Sequence, residues 1–187
     1  DEIRRERAVE LYLEGDRWDP EEPRKAMRDA IRFAREAGRK IAFTLSDGFV
    51  IERHRGDCME RSDRGQGDIL FSNEAEIEAL AQVEGFEKAV AAIAPKVPLL
   101  ISTRSEKGAI AIADGKRHEV PAAPVTEVID TTGAGDLFAA GFLAAHIEGK
   151  DIAHCLRLGA LAAAEVISHF GARPEADLRE LRATAGL

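Results

Sequence analysis

Asp130-Thr131-Thr132-Gly133-Ala134-Gly135-Asp136 follows a short apolar segment, residues 125–129 (VTEVI), and runs directly into a second apolar stretch, residues 137–147. The pattern predicts a strand that enters a small-residue turn and leaves it as a helix. Such a turn gathers several backbone N–H groups in one concavity. The helix start adds positive potential, so an anion, above all a phosphate, is favoured there. Asp136 falls in the first helical turn, where its charge repels a bound anion. Its presence points to a chemical task, and abstraction of a proton from an attacking hydroxyl is the natural one. A lone Gly-Ala-Gly also serves as a plain strand-to-helix turn, and a helix start favours an acid through its dipole alone. Neither explains the preceding Asp-Thr-Thr.

Outward from this motif, apolar runs with little alternation recur along the chain: residues 8–14, 40–45, 68–72, 97–103 and 108–113. Helical spacing fills the intervals. Ala26, Met27, Ala30, Ile31, Ala34 and Ala37 mark one helix between Pro20 and Gly38, and residues 49–61, 73–82 and 86–94 read as others. Asp114-Gly115 predicts a hairpin turn before residues 117–120. Three helices follow the motif, at residues 137–147, 152–168 and 176–183. Strands alternating with helices, and buried on both faces, predict an α/β fold with a mainly parallel sheet. Ligands of such sheets bind beyond the carboxyl ends of the strands. Asp47, Asn73, Thr103 and the motif all fall there, so one crevice is expected to gather them. The residues carry no internal repeat, no low-complexity tract and no linker that divides them into independent domains.

The chain has 187 residues, 45% hydrophobic and 32% charged, which is the composition of a globular protein. Its 34 acidic and 26 basic residues give a net charge of −8, which argues against a general nucleic-acid binder. Arg53-His54-Arg55 is a basic spot without neighbouring aromatics and reads as a solvated face. Cys58 and Cys155 lack metal-ligand spacing and read as reduced, packed thiols. His118, His146 and His154 have no partner pattern and read as surface or packing residues. No apolar run approaches the roughly 18–20 residues that span a bilayer, and Asp1-Glu2-Ile3-Arg4-Arg5 lacks the features of a signal peptide. A cytoplasmic protein with no membrane partner is expected.

The motif lacks the third glycine of G-x-G-x-x-G, and no G-x-x-x-x-G-K-[ST] occurs. Instead it resembles the second signature of the ribokinase-like (PfkB-type) carbohydrate kinase family. Three further stretches resemble that family in the same order: Asp68–Glu76 in numbering 68–76 (DILFSNEAE), its strand and Asn-x-x-Glu element; 101–109 (ISTRSEKGA), its nucleotide-binding strand and loop; and 161–174 (LAAAEVISHFGARP), its closing helix and Gly-Ala turn. The resemblance implies a three-layer αβα fold. It makes Asp136 the general base, with Gly133, Ala134 and Gly135 as the backbone anion hole for the transferred phosphoryl group. Phosphoryl transfer suits such a site, because its catalysis is mostly positioning and neutralisation of spread charge. Asn73 and Glu76 would act through water on Mg²⁺, which keeps several waters and needs few carboxylates. They also form a capping-box pattern at a helix start, and both roles are compatible. Thr103, Ser105, Gly108 and Ala160 are placed on the nucleotide side, with Ser105 standing where a glycine is frequent. Asp130 and Thr132, with carbonyls around Val166, His169 and Gly171, resemble a monovalent-cation site for K⁺. Asp130 also reads as a residue that bonds its own turn.

The family's Gly-Gly motif and β lid, which grip the acceptor, are absent from these residues. Residues 1–187 are therefore expected to be the C-terminal portion of one kinase domain, without the N-terminal strands and lid. Such a start leaves the first strand with an apolar edge open to pairing or aggregation. The resemblance implies ATP, Mg²⁺ and a small-molecule sugar or nucleoside, with a soft lean toward the adenosine-kinase-like branch. Dimers of the family form largely through the lid, so a homodimer stays open. Two functions stand: an ATP-dependent kinase acting on a hydroxyl of a sugar or nucleoside, and a non-catalytic nucleotide-binding fragment or partner module. A Gly-Gly motif and lid strands upstream of Asp1 would favour the first.

Overall fold

A computed structural model describes residues 9–15, 21–46, 51 and 67–187. The turn expected at Asp47 and Gly48, Cys58, the Arg53-His54-Arg55 spot and nearly all of the 49–61 helix lie outside them. Six strands, β1 (Glu10–Glu14), β2 (Lys40–Thr44), β3 (Ile69–Asn73), β4 (Leu99–Thr103), β5 (Ala109–Ala113) and β6 (Lys116–Val120), form one sheet in the order β1-β2-β3-β4-β5-β6. The chain divides into two compact units. One holds the described residues up to Ser102 together with Ile112–Lys116, and the other holds Thr103–Ala111 with Arg117–Leu187.

In the first unit, β1 pairs parallel to β2 from Glu10↔Lys40 to Glu14↔Thr44, and β2 pairs parallel to β3 from Ala42↔Ile69 to Thr44↔Phe71. Parallel neighbours need a crossover, and α1 (Glu21–Glu36) supplies the first. It buries Met27, Ile31 and Ala34 along one stripe, with Glu21 and Glu22 in its first turn and Arg35 in its last, each complementing the dipole. Gly38, at φ +66°, ends it in a Schellman arrangement: Arg39 N–H donates to the Ala34 carbonyl at 2.8 Å and Gly38 N–H to Arg35 at 3.0 Å. Asp68 then joins three elements, its Oδ2 accepting from Ile41 N–H at 2.7 Å and lying 2.9 Å from Arg35 Nη1.

Ile41, Ala42 and Phe43 of β2, Ile69, Leu70 and Phe71 of β3, and Leu99, Leu100 and Ile101 of β4 are all buried, as continuous apolar runs in a covered sheet should be. The one polar pair in this core is satisfied internally: the Ser72 and Ser102 hydroxyls lie 2.7 Å apart at the ends of β3 and β4. Two helices, α2 (Glu74–Ala81) and α3 (Phe86–Ile93), connect β3 to β4.

In the second unit, α4 (Ala134–Ile147) and α5 (Ile152–Val166) pack through glycine. A Cβ on Gly141 would stand 2.7 Å from the Leu158 carbonyl oxygen, and one on Gly159 would stand 2.8 Å from that of Phe138. The two backbones therefore touch where any larger residue would part them. Phe142 and Leu156 are fully buried. Asp151 caps α5 by accepting from His154 N–H at 2.8 Å. The last helix, α6 (Leu178–Thr184), is tied by Arg182, which reaches both Glu148 oxygens at 2.8 and 2.6 Å.

Residues 125–129 form no strand. Val125, Val128 and Ile129 remain 36%, 54% and 43% exposed. Ile129 N–H donates to the Ile167 carbonyl at 2.8 Å, so this backbone is taken up by the turn after α5 and not by the sheet. The helix after the motif also starts three residues before Leu137, at Ala134.

Close helix contact at Gly159 makes it intolerant of bulk. We expect Gly159→Val to cost about 1–3 kcal/mol. At roughly 2–4 °C per kcal/mol for a chain of this size, the melting midpoint should fall clearly, whereas the exposed control Ala144→Ser should leave it nearly unchanged. Thermal denaturation followed by circular dichroism checks this.

Candidate active site

The Asp130–Asp136 stretch is a turn built by its own side chains. Asp130 Oδ1 accepts from Thr132 N–H at 2.9 Å and from Thr132 Oγ1 at 2.6 Å, an Asx-type turn. Ala134 N–H donates to the Thr131 carbonyl at 3.2 Å, and Gly133, at φ 80° and ψ 0°, occupies the third position of a type II turn. Only glycine fits there for a second reason: a Cβ would lie 2.8 Å from Ala172 Cβ and 3.0 Å from its Cα. Asp130 Oδ2 reaches across 41 positions to accept from Gly171 N–H at 3.0 Å. These bonds, with Thr132 first and the Gly171 amide next, lower the Asp130 carboxyl from 3.8 to about 2.

Gly133 N-caps α4, and the first helical bond runs from Leu137 N–H to its carbonyl at 2.9 Å. Ala134, Gly135 and Asp136 thus occupy the first turn, whose N–H groups have no intrahelical acceptor. The Ala134 N–H is spent on Thr131, which leaves those of Gly135 and Asp136 directed from the helix start. Gly135 is exposed, and among the described residues no atom beyond its chain neighbours and its own helix backbone lies within 4 Å of where its Cβ would be. The Asp136 side chain is exposed and makes no hydrogen bond or ion pair among the described residues. The helix start thus presents two backbone amides beside an exposed carboxylate with no partner among the described residues.

Of the other expected site residues in this unit, Thr103 ends β4 and leads into a tight loop. Arg104 N–H donates to the Gly108 carbonyl at 2.7 Å, Gly108 N–H to Ser105 at 3.0 Å, and Arg104 Nη1 lies 3.5 Å from Glu119 Oε1. Ser105 sits at φ +50°, which explains why a glycine suits that position. Gly108, at φ +89°, is buried, and a Cβ there would collide with the backbone of Val120, Pro121 and Ala122. Ala160 lies in the middle of α5, 9% exposed.

Asn73 and Glu76 belong to the first unit, where they form a complete capping box on α2. Glu76 N–H donates to Asn73 Oδ1 at 2.8 Å, and Asn73 N–H to Glu76 Oε2 at 2.9 Å. Asn73 Nδ2 also donates to Glu76 Oε1 at 2.8 Å. Among the described residues, no group of three or more His, Cys, Asp or Glu is arranged to hold a metal. No helix among the described residues is long and apolar enough to cross a membrane. Cys155 is a buried free thiol.

Two features of the site escape the sequence. Ala172 is the seat against which Gly133 closes. Glu165 is an almost buried acid whose carboxylate collects the loop after α5, its Oε1 accepting from the Glu175 and Ala176 N–H groups at 2.8 Å each. Its signal is present in the primary structure, as a lone acid inside the apolar run LAAAEVI.

A mostly parallel six-stranded sheet whose strands alternate with helices defines an α/β protein. Residues 8–178 match the pfkB family of carbohydrate kinases. The chain is 31% identical to the cytidine kinase of Thermococcus kodakarensis over 137 residues, 72% of this chain and 49% of that protein. Among solved structures, a probable sugar kinase from Rhizobium etli CFN 42 superposes with a TM-score of 0.93 at 41% identity, covering 96% of this chain and 54% of that one. The adenosine kinase from Sinorhizobium meliloti superposes with a TM-score of 0.93 at 39% identity, covering 96% and 55%. The chain belongs to the pfkB family, with the ribokinase-like fold, and spans about half the length of these relatives.

The depressed Asp130 carboxyl carries a pH signature. A group whose folded value lies below its unfolded one contributes stability above the unfolded value and loses it as pH falls through the folded one. We expect the stability difference between the parent and Asp130→Asn to be constant well above pH 3.8 and to shrink as the pH approaches about 2. Urea unfolding across this range checks it, and a difference that grows on acidification would contradict it.

Proposed function

We propose that the protein carrying this chain transfers the γ-phosphoryl group of ATP to a hydroxyl of a sugar or nucleoside. The observation that supports this most is the helix start of α4, where the Gly135 and Asp136 amides stand beside an exposed Asp136 carboxylate that has no partner among the described residues. Asp136 accepts the hydroxyl proton as the new oxygen–phosphorus bond forms and the bond to the departing ADP breaks. Gly133 sets the turn, and the first-turn amides donate to the transferred group's oxygens, where spread negative charge needs fixed donors. The Thr103–Gly108 loop, with Ser105, and Ala160 serve the nucleotide side. Asn73 and Glu76 would hold Mg²⁺ through water, and the bound ion would supply neutralisation of the ATP phosphates' charge. Asp130 and Thr132 would support K⁺ beside the turn. Kinship to a cytidine kinase, an adenosine kinase and a probable sugar kinase supports an acceptor that is a nucleoside or a sugar. A cytoplasmic location accords with this chemistry, which consumes ATP.

We expect Asp136→Asn to lower turnover by roughly 10²–10⁴-fold, the range for loss of a general base, while ATP affinity and melting temperature stay close to the parent's. The measurement is ADP formation from MgATP by the whole protein with adenosine, cytidine, ribose and fructose in parallel. Parent-like turnover by Asp136→Asn removes the general-base role. ATP binding by the parent with no turnover of any hydroxyl acceptor would favour a nucleotide-binding module instead.

A further inference from the structure

Glu165 is an unusual residue for its position. Its side chain is only 6% exposed, near the end of α5. Oε1 accepts from Glu175 N–H and Ala176 N–H at 2.8 Å each and lies 3.3 Å from His169 Nε2. Oε2 is buried with no hydrogen-bond partner among the described residues. A buried carboxylate is costly unless its bonds secure something else. What it secures is both ends of the loop after α5, from His169 near its start to Glu175 and Ala176, ten and eleven positions beyond Glu165.

That loop is the wall of the Asp130–Asp136 turn. Its Ile167 carbonyl accepts from Ile129 N–H at 2.8 Å, its Gly171 N–H donates to Asp130 Oδ2 at 3.0 Å, and its Ala172 occupies the space that a Gly133 Cβ would need. Two of these contacts run from the loop to the turn and one to Ile129 just before it, and the loop is in turn gathered on one carboxylate oxygen. We propose that Glu165 is a positioning residue for the Asp130–Asp136 turn: it holds the 167–176 loop at the one height where Gly171 and Ala172 fix Asp130 and Gly133, and so aims the start of α4. The catalytic part of this claim rests on the function proposed above, whereas the mechanical part stands on the hydrogen bonds alone. Glu165 touches no reacting atom; it acts through the loop. What matters is reach, because one oxygen must meet two adjacent amides.

Two substitutions separate reach from charge in the whole protein. Glu165→Asp keeps the charge but is one methylene short of the Glu175 and Ala176 amides. Glu165→Gln keeps the length and an accepting oxygen, and its NH₂ takes the position where Oε2 has no partner. Hydrogen exchange at the Gly171 and Thr132 amides, resolved by NMR, reads the turn without any need for activity. Turnover of MgATP with the adenosine, cytidine, ribose and fructose panel reads its consequence. For Glu165→Asp we expect both amides to exchange at least about tenfold faster, with kcat lowered roughly 10- to 100-fold and KM for ATP little changed, as for a small misplacement of reacting groups. Glu165→Gln should restore both readouts nearly to the parent's. The proposal is overturned if Glu165→Asp leaves either the exchange or kcat unchanged, or if Glu165→Gln is as impaired as Glu165→Asp. It is also overturned if Glu165→Asp unfolds globally, since the carboxylate then supports the fold as a whole. A parent inactive on the whole panel would count against the proposed function, and the exchange measurements would still decide the mechanical part.

Discussion

The Asp130 carboxylate is the constraint on which the site depends. One oxygen closes the local turn through Thr132, and the other binds the Gly171 amide 41 positions away. Without the first, the backbone entering Gly133 has no reason to adopt its left-handed conformation. Without the second, the Asp130 side chain no longer ties the turn to the loop after α5, which leaves the backbone bond from Ile129 N–H to the Ile167 carbonyl. The glycine contact with Ala172 completes the geometry by allowing the two backbones to meet where a side chain would separate them. Strength here comes from donors converging on a charged acceptor, which also explains why this carboxyl stays ionised far into acid.

Several of the expected site residues have a structural role of their own. Asn73 and Glu76 bond each other across the first turn of α2, which orders their polar atoms as a cap. Gly108 is held by its own backbone conformation and by the chain at Val120–Ala122 in numbering 120–122, whatever a nucleotide requires of it. Gly135 differs from both. It has room for a Cβ and no positive φ, so packing gives no reason for a glycine there. A ligand that must approach the backbone closely gives one. This contrast separates glycines required by the fold, Gly108 and Gly133, from one that the surrounding packing does not require.

Much of the architecture was legible in the residues. Apolar runs such as ILFS and LLIS predict strands buried on both faces because parallel strands offer no wet side, and β3 and β4 are such strands. Asp114-Gly115 predicts the hairpin because both residues accept positive φ, and both adopt it. The capping box followed from a three-residue spacing. Residues 125–129 misled because an apolar run carries no record of whether a neighbouring strand is available. Their backbone instead meets the turn after α5, a contact set by tertiary structure. The start of α4 was placed late for a related reason: Gly-Ala-Gly has poor helix propensity, and the Asp130 turn overrides it. Contacts between distant small residues, Gly133 with Ala172 and Gly141 with Leu158, leave no local pattern at all.

The central claim is that the start of α4 receives the phosphoryl group beside Asp136. Its most direct test is a titration of the ¹⁵N-labelled whole protein with MgATP, following the backbone amide resonances of Gly135 and Asp136. We expect both to shift and to saturate together with ATP binding, as amides that donate to phosphate oxygens should. Saturable ATP binding that leaves both resonances in place would contradict it.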